Sequence, residues 1–538
     1  MLSLNKKSLK NSSEWERAGI ALPQFDIDKM TAATESSPEW VHFGSGNIFR
    51  SFIAALQQEL LSKGKTQTGI VAVETYDEEI IDKIYRPYDN LSLLVLMKAD
   101  GTLEKKVIAG VGQSLVGDPS RSGDWDQLKS IFSKKSLKMA SFTVTEKGYV
   151  LRAMSGEYIP EVQTDIEKGP IAPRHLISKI SALAYERFKN GAYPIAFVSM
   201  DNCSHNGEKL QSAMLDIIGC WVERGLAEKA FFDYMNDSKK VSFPWTMIDK
   251  ITPRPSETVR EVLDKLGVAD MGIICTNKKT YIASFVNAEV PQYLVVEDSF
   301  PNGRMPLEAA GVLFADRETV EKVERMKVTT CLNPLHTALA IFGCLLGYSS
   351  IAAEMRNSSL KKLVEKIGYE EGMPVVVNPG ILSPEAFLKE VIEKRLPNPY
   401  IPDTPQRIVC DTSLKVGIRF GETIKSYITR ADLDVKALKY IPLAIAGWCR
   451  YLMGIDDNGE TMELGFDPML DELKSNFSDV RLGDINSVGC SLKPILSNEK
   501  IFGVDLYKVG MDGIIDDYFR QMISGRHAVR EVLNKYLG

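Results

Sequence analysis

The sequence predicts an α/β chain, with a doubly wound, mostly parallel sheet in its N-terminal part and a mainly α-helical C-terminal domain. Three observations predict it. Strand-like and helix-like segments alternate through the first half. A glycine turn, Gly44-Ser45-Gly46, separates the first strong strand from the helix after it. From about Glu308 onward, strand patterns give way to long helical ones.

Each element follows from its own stretch. Trp40 to Phe43 is a short apolar run, and Ile48 to Leu61 sets Ile48, Phe52, Leu56 and Leu60 at helical spacing. A second strand, Gly69 to Val73, ends at Glu74, and further strands are expected at Leu91 to Met97, Met139 to Val144 and Pro194 to Met200. Leu382 to Ile392, Leu433 to Leu452 and Asp516 to Tyr536 carry helical patterns. The turn-rich Ser299-Phe300-Pro301-Asn302-Gly303 marks the join, giving a Rossmann-like dinucleotide-binding domain over residues 1–300 and a helical domain over 301–538.

Composition excludes several classes. At 538 residues the chain exceeds what one core organises, so a cleft between domains is available. Apolar and charged fractions of 44% and 25% are those of a soluble globular protein that folds throughout. Lys plus Arg number 65 against 71 Asp plus Glu, with no long basic run, so nucleic acid is not an expected partner and small molecules are. Met1 to Lys10 has lysines but no apolar core after them, so no secretory signal is read and a cytoplasmic location is expected. The 8 cysteines are scattered singly with no C-x-x-C pair, which suits reduced thiols and neither a disulfide frame nor a structural zinc. Asn333 to Ala353 is about long enough to span a bilayer, but it contains Pro334, His336, Gly343 and Gly347. A buried helix is expected there, no membrane association, and a monomer or small homo-oligomer.

Gly44-x-Gly46 follows a strand and opens a helix, where glycines let the backbone approach a pyrophosphate held on helix N-terminal amides. The third glycine of the usual fingerprint is replaced by Phe49, so the turn alone is also readable as a simple strand-to-helix connection. Glu74, at the end of the second strand, can accept hydrogen bonds from ribose hydroxyls and would repel a 2′-phosphate, which favours NAD over NADP. Arg50 either reaches phosphate or faces water.

Hydride transfer from a secondary alcohol needs a group that takes the hydroxyl proton and donors that steady the alkoxide. With 5 histidines and unclustered cysteines a zinc site is hard to assemble, so no metal is expected. Tyr185 and Lys189 have the spacing of a short-chain dehydrogenase pair but lack the upstream serine. Lys327, Asn333 and His336 form a better constellation. Desolvation and positive neighbours can lower a lysine pKa toward the working pH, and an asparagine amide can donate to an alkoxide. The same run is equally readable as a surface lysine, an N-cap asparagine before proline, and a packed histidine.

Several segments together carry a resemblance: Phe43-Gly-Ser-Gly-Asn-Ile-Phe-Arg50, Thr143-Val-Thr-Glu-Lys-Gly-Tyr149, Ser199-Met-Asp-Asn-Cys-Ser-His-Asn-Gly207, Met247-Ile-Asp-Lys-Ile-Thr-Pro253, Lys327 to His336, and Arg407-Ile-Val-Cys-Asp-Thr-Ser-Leu-Lys415. The chain resembles the mannitol dehydrogenase family of long-chain polyol dehydrogenases, which also includes fructuronate and tagaturonate reductases, over nearly all of its length from about Val41. The resemblance implies substrate held between a dinucleotide-binding domain and a helical one, with NAD bound through Gly44, Gly46, Asn47, Phe49, Arg50, Glu74, Thr145 and Glu146. It further implies Lys327 as general base, Asn202 and Asn333 as the oxyanion pair, His336, Arg407 and Lys415 at substrate hydroxyls, and Asp249 in the surrounding network. Two departures stand out. Lys327 to Asn333 is one residue longer than the family spacing, so the chain must bulge there or start its helix differently, and Lys250 stands where many members have arginine.

The length and the Asn-Pro-Leu-His variant lean toward the branch that interconverts D-mannonate and D-fructuronate, with mannitol 2-dehydrogenase or tagaturonate reductase as the alternatives. A carboxylate needs charged donors in place of its hydration, and Arg407, Lys415 and Lys250 are the candidates. A sensor that binds NAD and a sugar acid without turnover would need a failed base, whereas Lys327, Asn202 and Asn333 are all present.

Overall fold

The structure, a computed structural model, describes residues 2–538. The chain divides into two compact units, one reaching Lys98 and including Thr102–Glu321, the other made of Ala99–Gly101 and Lys322–Gly538.

The first unit is built on six parallel strands: β1 (Trp40–Phe43), β2 (Ile70–Glu74), β3 (Val111–Val116), β4 (Met139–Phe142), β5 (Ile195–Ser199) and β6 (Val241–Ser242). Their order is β3-β2-β1-β4-β5-β6, so the winding reverses between β1 and β4. A doubly wound sheet binds ligands at that reversal, beyond the carboxyl ends of the strands. Both faces are covered, which is why the strands read as continuous apolar runs. Val41, Phe43, Val71 and Val73 pack with Leu128, Phe132, Ile180 and Met214 on one face. Trp40, Ile70 and Ala72 pack with Phe52, Ile53 and Leu60 on the other.

One strand expectation is refined by pairing. Ser92–Met97 is a strand, but it belongs to a separate four-stranded sheet, antiparallel to Leu103–Ile108 and parallel to Phe285–Glu289. Ala99-Asp100-Gly101, with Gly101 at φ +86, makes the turn that folds it back on its neighbour, inside the hydrogen bond from the Lys98 N–H to the Thr102 carbonyl at 3.0 Å. The third strand of the parallel sheet is instead β3, whose Gly112, Gln113 and Ser114 interrupt the apolar pattern that would have announced it. A further strand, β7 (Thr246–Asp249), pairs antiparallel with Tyr293–Glu297.

The second unit is helical. At its centre α1 (Asn333–Leu345) packs on α2 (Tyr440–Leu452), and α2 on α3 (Asp512–Met522). Gly447 permits the close approach of the first pair, since a Cβ there would lie 2.6 Å from Phe342 Cζ. The helix expected over Asn333 to Ala353 ends at Leu345, before Gly347 at φ +75. The run Arg317–Leu345, helical apart from a bend at Leu332, is long and apolar enough to cross a membrane by length and composition, but 72% of its most apolar window is buried inside the protein. The pattern over Asp516 to Tyr536 is two helices, because His527 takes a left-handed φ of +65 before Ala528–Leu537. That over Leu433 to Leu452 becomes regular only at Tyr440, with Pro442 in the first turn. Leu382 to Ile392 is helical over Pro384–Glu390 and widens into a π turn, Val391–Arg395.

Candidate active site

β1 delivers Gly44, Ser45 and Gly46 to the carboxyl end of the sheet. Gly44 has φ +94, and a Cβ there would lie 2.2 Å from the Thr143 carbonyl oxygen, so no larger residue fits. Beside Gly46 the equivalent space is open. Phe49 is buried and stacks on His42 with ring centroids 4.3 Å apart, packing helix on strand by aromatic contact where the fingerprint uses a glycine. Glu74 closes the turn from the side. One carboxylate oxygen accepts the Ser45 N–H at 3.0 Å, and the other accepts those of Thr75 (3.0 Å), Tyr76 (2.9 Å) and Asp77 (3.4 Å). Burial pushes its pKa up, against the pull of these amides. Arg50 does not face water. Its buried guanidinium donates to the Ala283 carbonyl (2.7 Å) and to Asn47 Oδ1 (3.0 Å). The Ser45 hydroxyl, also buried, has no partner. A glycine turn that only glycine can form, an open backbone at Gly46 and an unpartnered hydroxyl between them suit a dinucleotide.

The neighbouring strands carry a second polar group of residues. Thr145 has φ +67 and ψ +160, a conformation that L residues other than glycine rarely adopt and that costs about 1–3 kcal/mol. Asp201, at the end of β5, holds it there by accepting the N–H groups of Val144 (3.1 Å) and Thr145 (2.7 Å). Tyr149 donates its hydroxyl to the same carboxylate at 2.5 Å. Asp201 begins the loop that bears Asn202. The other end of the loop is fixed by buried Asn206, whose amide donates to the Asp201 carbonyl (2.9 Å) and to the Thr246 carbonyl and hydroxyl (3.0 and 2.9 Å) while accepting the Thr246 N–H (3.0 Å). This ties the Asn202 loop to β7, which ends in buried Asp249. Lys250 points its ammonium at the carbonyl oxygens of Glu289 (2.5 Å) and Val290 and at Gln292 Oε1 (3.1 Å). Glu146 is exposed and pairs with Lys209 at 2.5 Å.

In the second unit, buried Lys327 opens a π turn, Lys327–Cys331, closed by the Leu332 N–H on the Lys327 carbonyl at 3.1 Å. The wider ring takes up the additional residue before Asn333, which begins α1 with Pro334 behind it. His336 Nε2 lies 3.4 Å from Asp403 Oδ2 without completing a hydrogen bond. Asp403 also pairs with Arg407. Burial works against the Asp403 charge, and His336 and Arg407 more than offset it, holding the carboxyl below its usual range. Arg407 is 65% exposed at its side chain. Lys415 donates to the Cys410 and Ile408 carbonyls, and burial, with the nearby Arg419 charge, lowers its pKa.

Sequence reasoning did not single out Asp403, Asp201, Asn206 or Arg419. Asp201 and Asn206 lie within a quoted motif, but their role depends on β7 and β4, which are distant in the chain. Arg419 follows Lys415 by one helical turn, the only local signal it has. Tyr185 and Lys189 are engaged at the surface, with Tyr185 donating to Glu228 at 2.7 Å and Lys189 pairing with Glu186. Among the described residues no group of three or more His, Cys, Asp or Glu side chains could hold a metal ion.

Comparison with known proteins extends over the whole chain. Residues 38–309 match the mannitol dehydrogenase Rossmann domain and residues 319–511 the mannitol dehydrogenase C-terminal domain. The chain is 56% identical to a D-mannonate oxidoreductase of Thermotoga maritima, covering 100% of this chain and 99% of that one. It is 27% identical to a D-mannonate oxidoreductase of Escherichia coli, over 90% and 92% of the two chains, and 28% identical to a mannitol 2-dehydrogenase of Neosartorya fischeri, over 93% of each. Among solved structures, a D-sorbitol dehydrogenase in substrate-free form superposes with a TM-score of 0.77 at 23% identity, covering 96% of this chain and 98% of the other. Mannitol 2-dehydrogenase of Pseudomonas fluorescens, in a ternary complex with NAD and D-mannitol, superposes with a TM-score of 0.68 at 23% identity over 99% of each chain.

Proposed function

Since the chain belongs to the mannitol dehydrogenase family, we propose that it is an NAD-dependent oxidoreductase that interconverts D-mannonate and D-fructuronate. One observation carries the choice of substrate: the full-length 56% identity to a protein named D-mannonate oxidoreductase. The glycine turn, with the Glu74 carboxylate at the end of β2, supports NAD as the cofactor.

Bound NAD supplies the acceptor for the hydride that leaves the alcohol carbon. The chain moves the proton. Lys327 Nζ takes it from the substrate hydroxyl, and the side-chain amides of Asn202 and Asn333 donate hydrogen bonds to the oxygen as it gains charge. His336, Arg407 and Lys415 orient substrate hydroxyls, with Asp249 in the polar surroundings of the base. In reduction, protonated Lys327 returns the proton. No step of this reading uses a metal. The domain roles follow the same division, cofactor over residues 1–300 and substrate over 301–538, and the reduced thiols suit the cytosol.

The test is a panel of D-fructuronate, D-tagaturonate and D-fructose assayed with NADH and NADPH, before and after prolonged EDTA treatment. Fastest turnover of D-fructuronate with NADH, unchanged by chelation, is expected. A preference for D-tagaturonate or D-fructose would move the chain to another branch of the family. Binding without any nicotinamide absorbance change would make it a sensor.

A further inference from the structure

Arg419 lies in a π turn, Gly417–Gly421, that packs against both the π turn of Lys327 and α1. It donates to the Thr337 hydroxyl, which in turn donates to the Asn333 carbonyl at 2.9 Å. The guanidinium is therefore linked through one side chain to the residue that opens α1. It is largely desolvated, and burial alone lowers its pKa to about 10. Yet no carboxylate pairs with it among the described residues, and the single Thr337 contact leaves most of its N–H groups without a protein acceptor.

A desolvated cation without a counter-ion is costly, and here a second cation makes it more so. Lys415 stands four residues earlier on the same side of the turn, and the two charges disfavour one another. Arg407, by contrast, is already neutralised by Asp403 and is mostly exposed. Of Arg407, Lys415 and Arg419, Arg419 is the one with an open fork and no anion. That arrangement has the geometry for bidentate capture of a carboxylate. Its nitrogens are not sealed, since none is among the buried unpartnered atoms that include Arg50 Nε.

We propose that Arg419, with Lys415 beside it, recognises the carboxylate of the sugar acid and so sets the preference for an acid over a neutral ketose. This rests on the sugar-acid reading of the site. The test compares D-fructuronate with its uncharged methyl ester as substrates for the native chain, Arg419→Met and Arg419→Lys, with NADH affinity measured alongside. The native enzyme should prefer the acid by a hundredfold or more in kcat/KM. Arg419→Met should lower the value for the acid at least a hundredfold, mainly through KM, and that for the ester less than tenfold, with NADH affinity kept. Arg419→Lys should recover part of the loss. Equal losses on acid and ester, or an unchanged preference, overturn the inference while the proposed function stands. If the native chain reduces neither compound, the proposed function fails, and calorimetry decides the inference. D-mannonate binding the NADH-loaded chain more tightly than D-mannitol, with the difference removed by Arg419→Met, upholds it, and equal binding overturns it.

Discussion

At the scale of single residues, Lys327 and Glu74 make opposite kinds of prediction. If Lys327 is the acid and base, Lys327→Ala should lower turnover by about a hundred- to ten-thousandfold, with NADH affinity, read by fluorescence titration, nearly unchanged. Added primary amines should return part of the lost rate. More than about a tenth of the activity remaining would assign the proton to another group, since that is above the range for a general base. Glu74 acts through structure as well as charge. Its carboxylate accepts the Ser45 amide of the glycine turn and, on its other oxygen, the amides of Thr75, Tyr76 and Asp77, and so joins the turn to the loop that leaves β2. Glu74→Ala should narrow the discrimination between NADH and NADPH and also weaken binding of both. A loss of about 2 kcal/mol of unfolding free energy, the range for hydrogen bonds to a buried charge, should appear in denaturant titrations. Unchanged stability would mean that the turn holds itself.

At the scale of elements, the position of Asn202 is decided by a loop fastened at both ends. Asn206 joins the Asp201 carbonyl to Thr246 of β7, and Asp201 holds Thr145 in its strained conformation. Asn206→Ala should therefore reduce kcat by about a hundredfold, the effect of misplacing a reacting group by roughly 1 Å, with a smaller fall in NADH affinity, since its reach to the cofactor side is indirect, through the hold of Asp201 on Thr145. Steady-state kinetics with a parallel NADH titration measure both. A fall in NADH affinity matching the fall in kcat would instead mean that the whole end of the sheet has loosened. The π turn at Lys327 works by the same logic of placement. Its wider ring and the non-helical Leu332 after it (φ −130, ψ −61) take up one residue between the helix from Arg317 and α1.

At the scale of the molecule, stability should carry the signature of one buried acid. Glu354 is fully buried against α1, where a Cβ on Gly343 would lie 2.1 Å from its Oε1, and neither carboxylate oxygen has a partner. Burial pushes its pKa up to about 9 from an ordinary 4.5. The folded state therefore keeps a proton that the unfolded chain gives up. This contribution to stability is complete below about pH 4.5 and is lost as pH rises toward about 9, by at most about 1.4 kcal/mol per pH unit. Glu354→Gln keeps the shape and removes the titration. Its melting temperature relative to the native chain should rise between pH 5 and pH 8. A difference that does not change with pH would mean that the carboxyl is ionised in the fold.

Much of this was legible along the chain. The strand at Trp40 to Phe43, the glycine turn, the strand ending at Glu74 and the helical second half are local patterns, because apolar period and glycine placement are set by neighbours in sequence. The resemblance to the family pointed to Lys327, Asn333 and His336 as candidate site residues. What only the tertiary structure decided was partnership. β3 replaced Ser92–Met97 in the parallel sheet because a short turn at Ala99-Asp100-Gly101 folds the latter into a hairpin. Arg50 turned inward to a carbonyl supplied by Ala283, and Arg407 was neutralised by Asp403, while Arg419 was left without an anion. Charge state, burial and hydrogen-bond satisfaction depend on groups that meet only after folding, so residue type alone leaves them open.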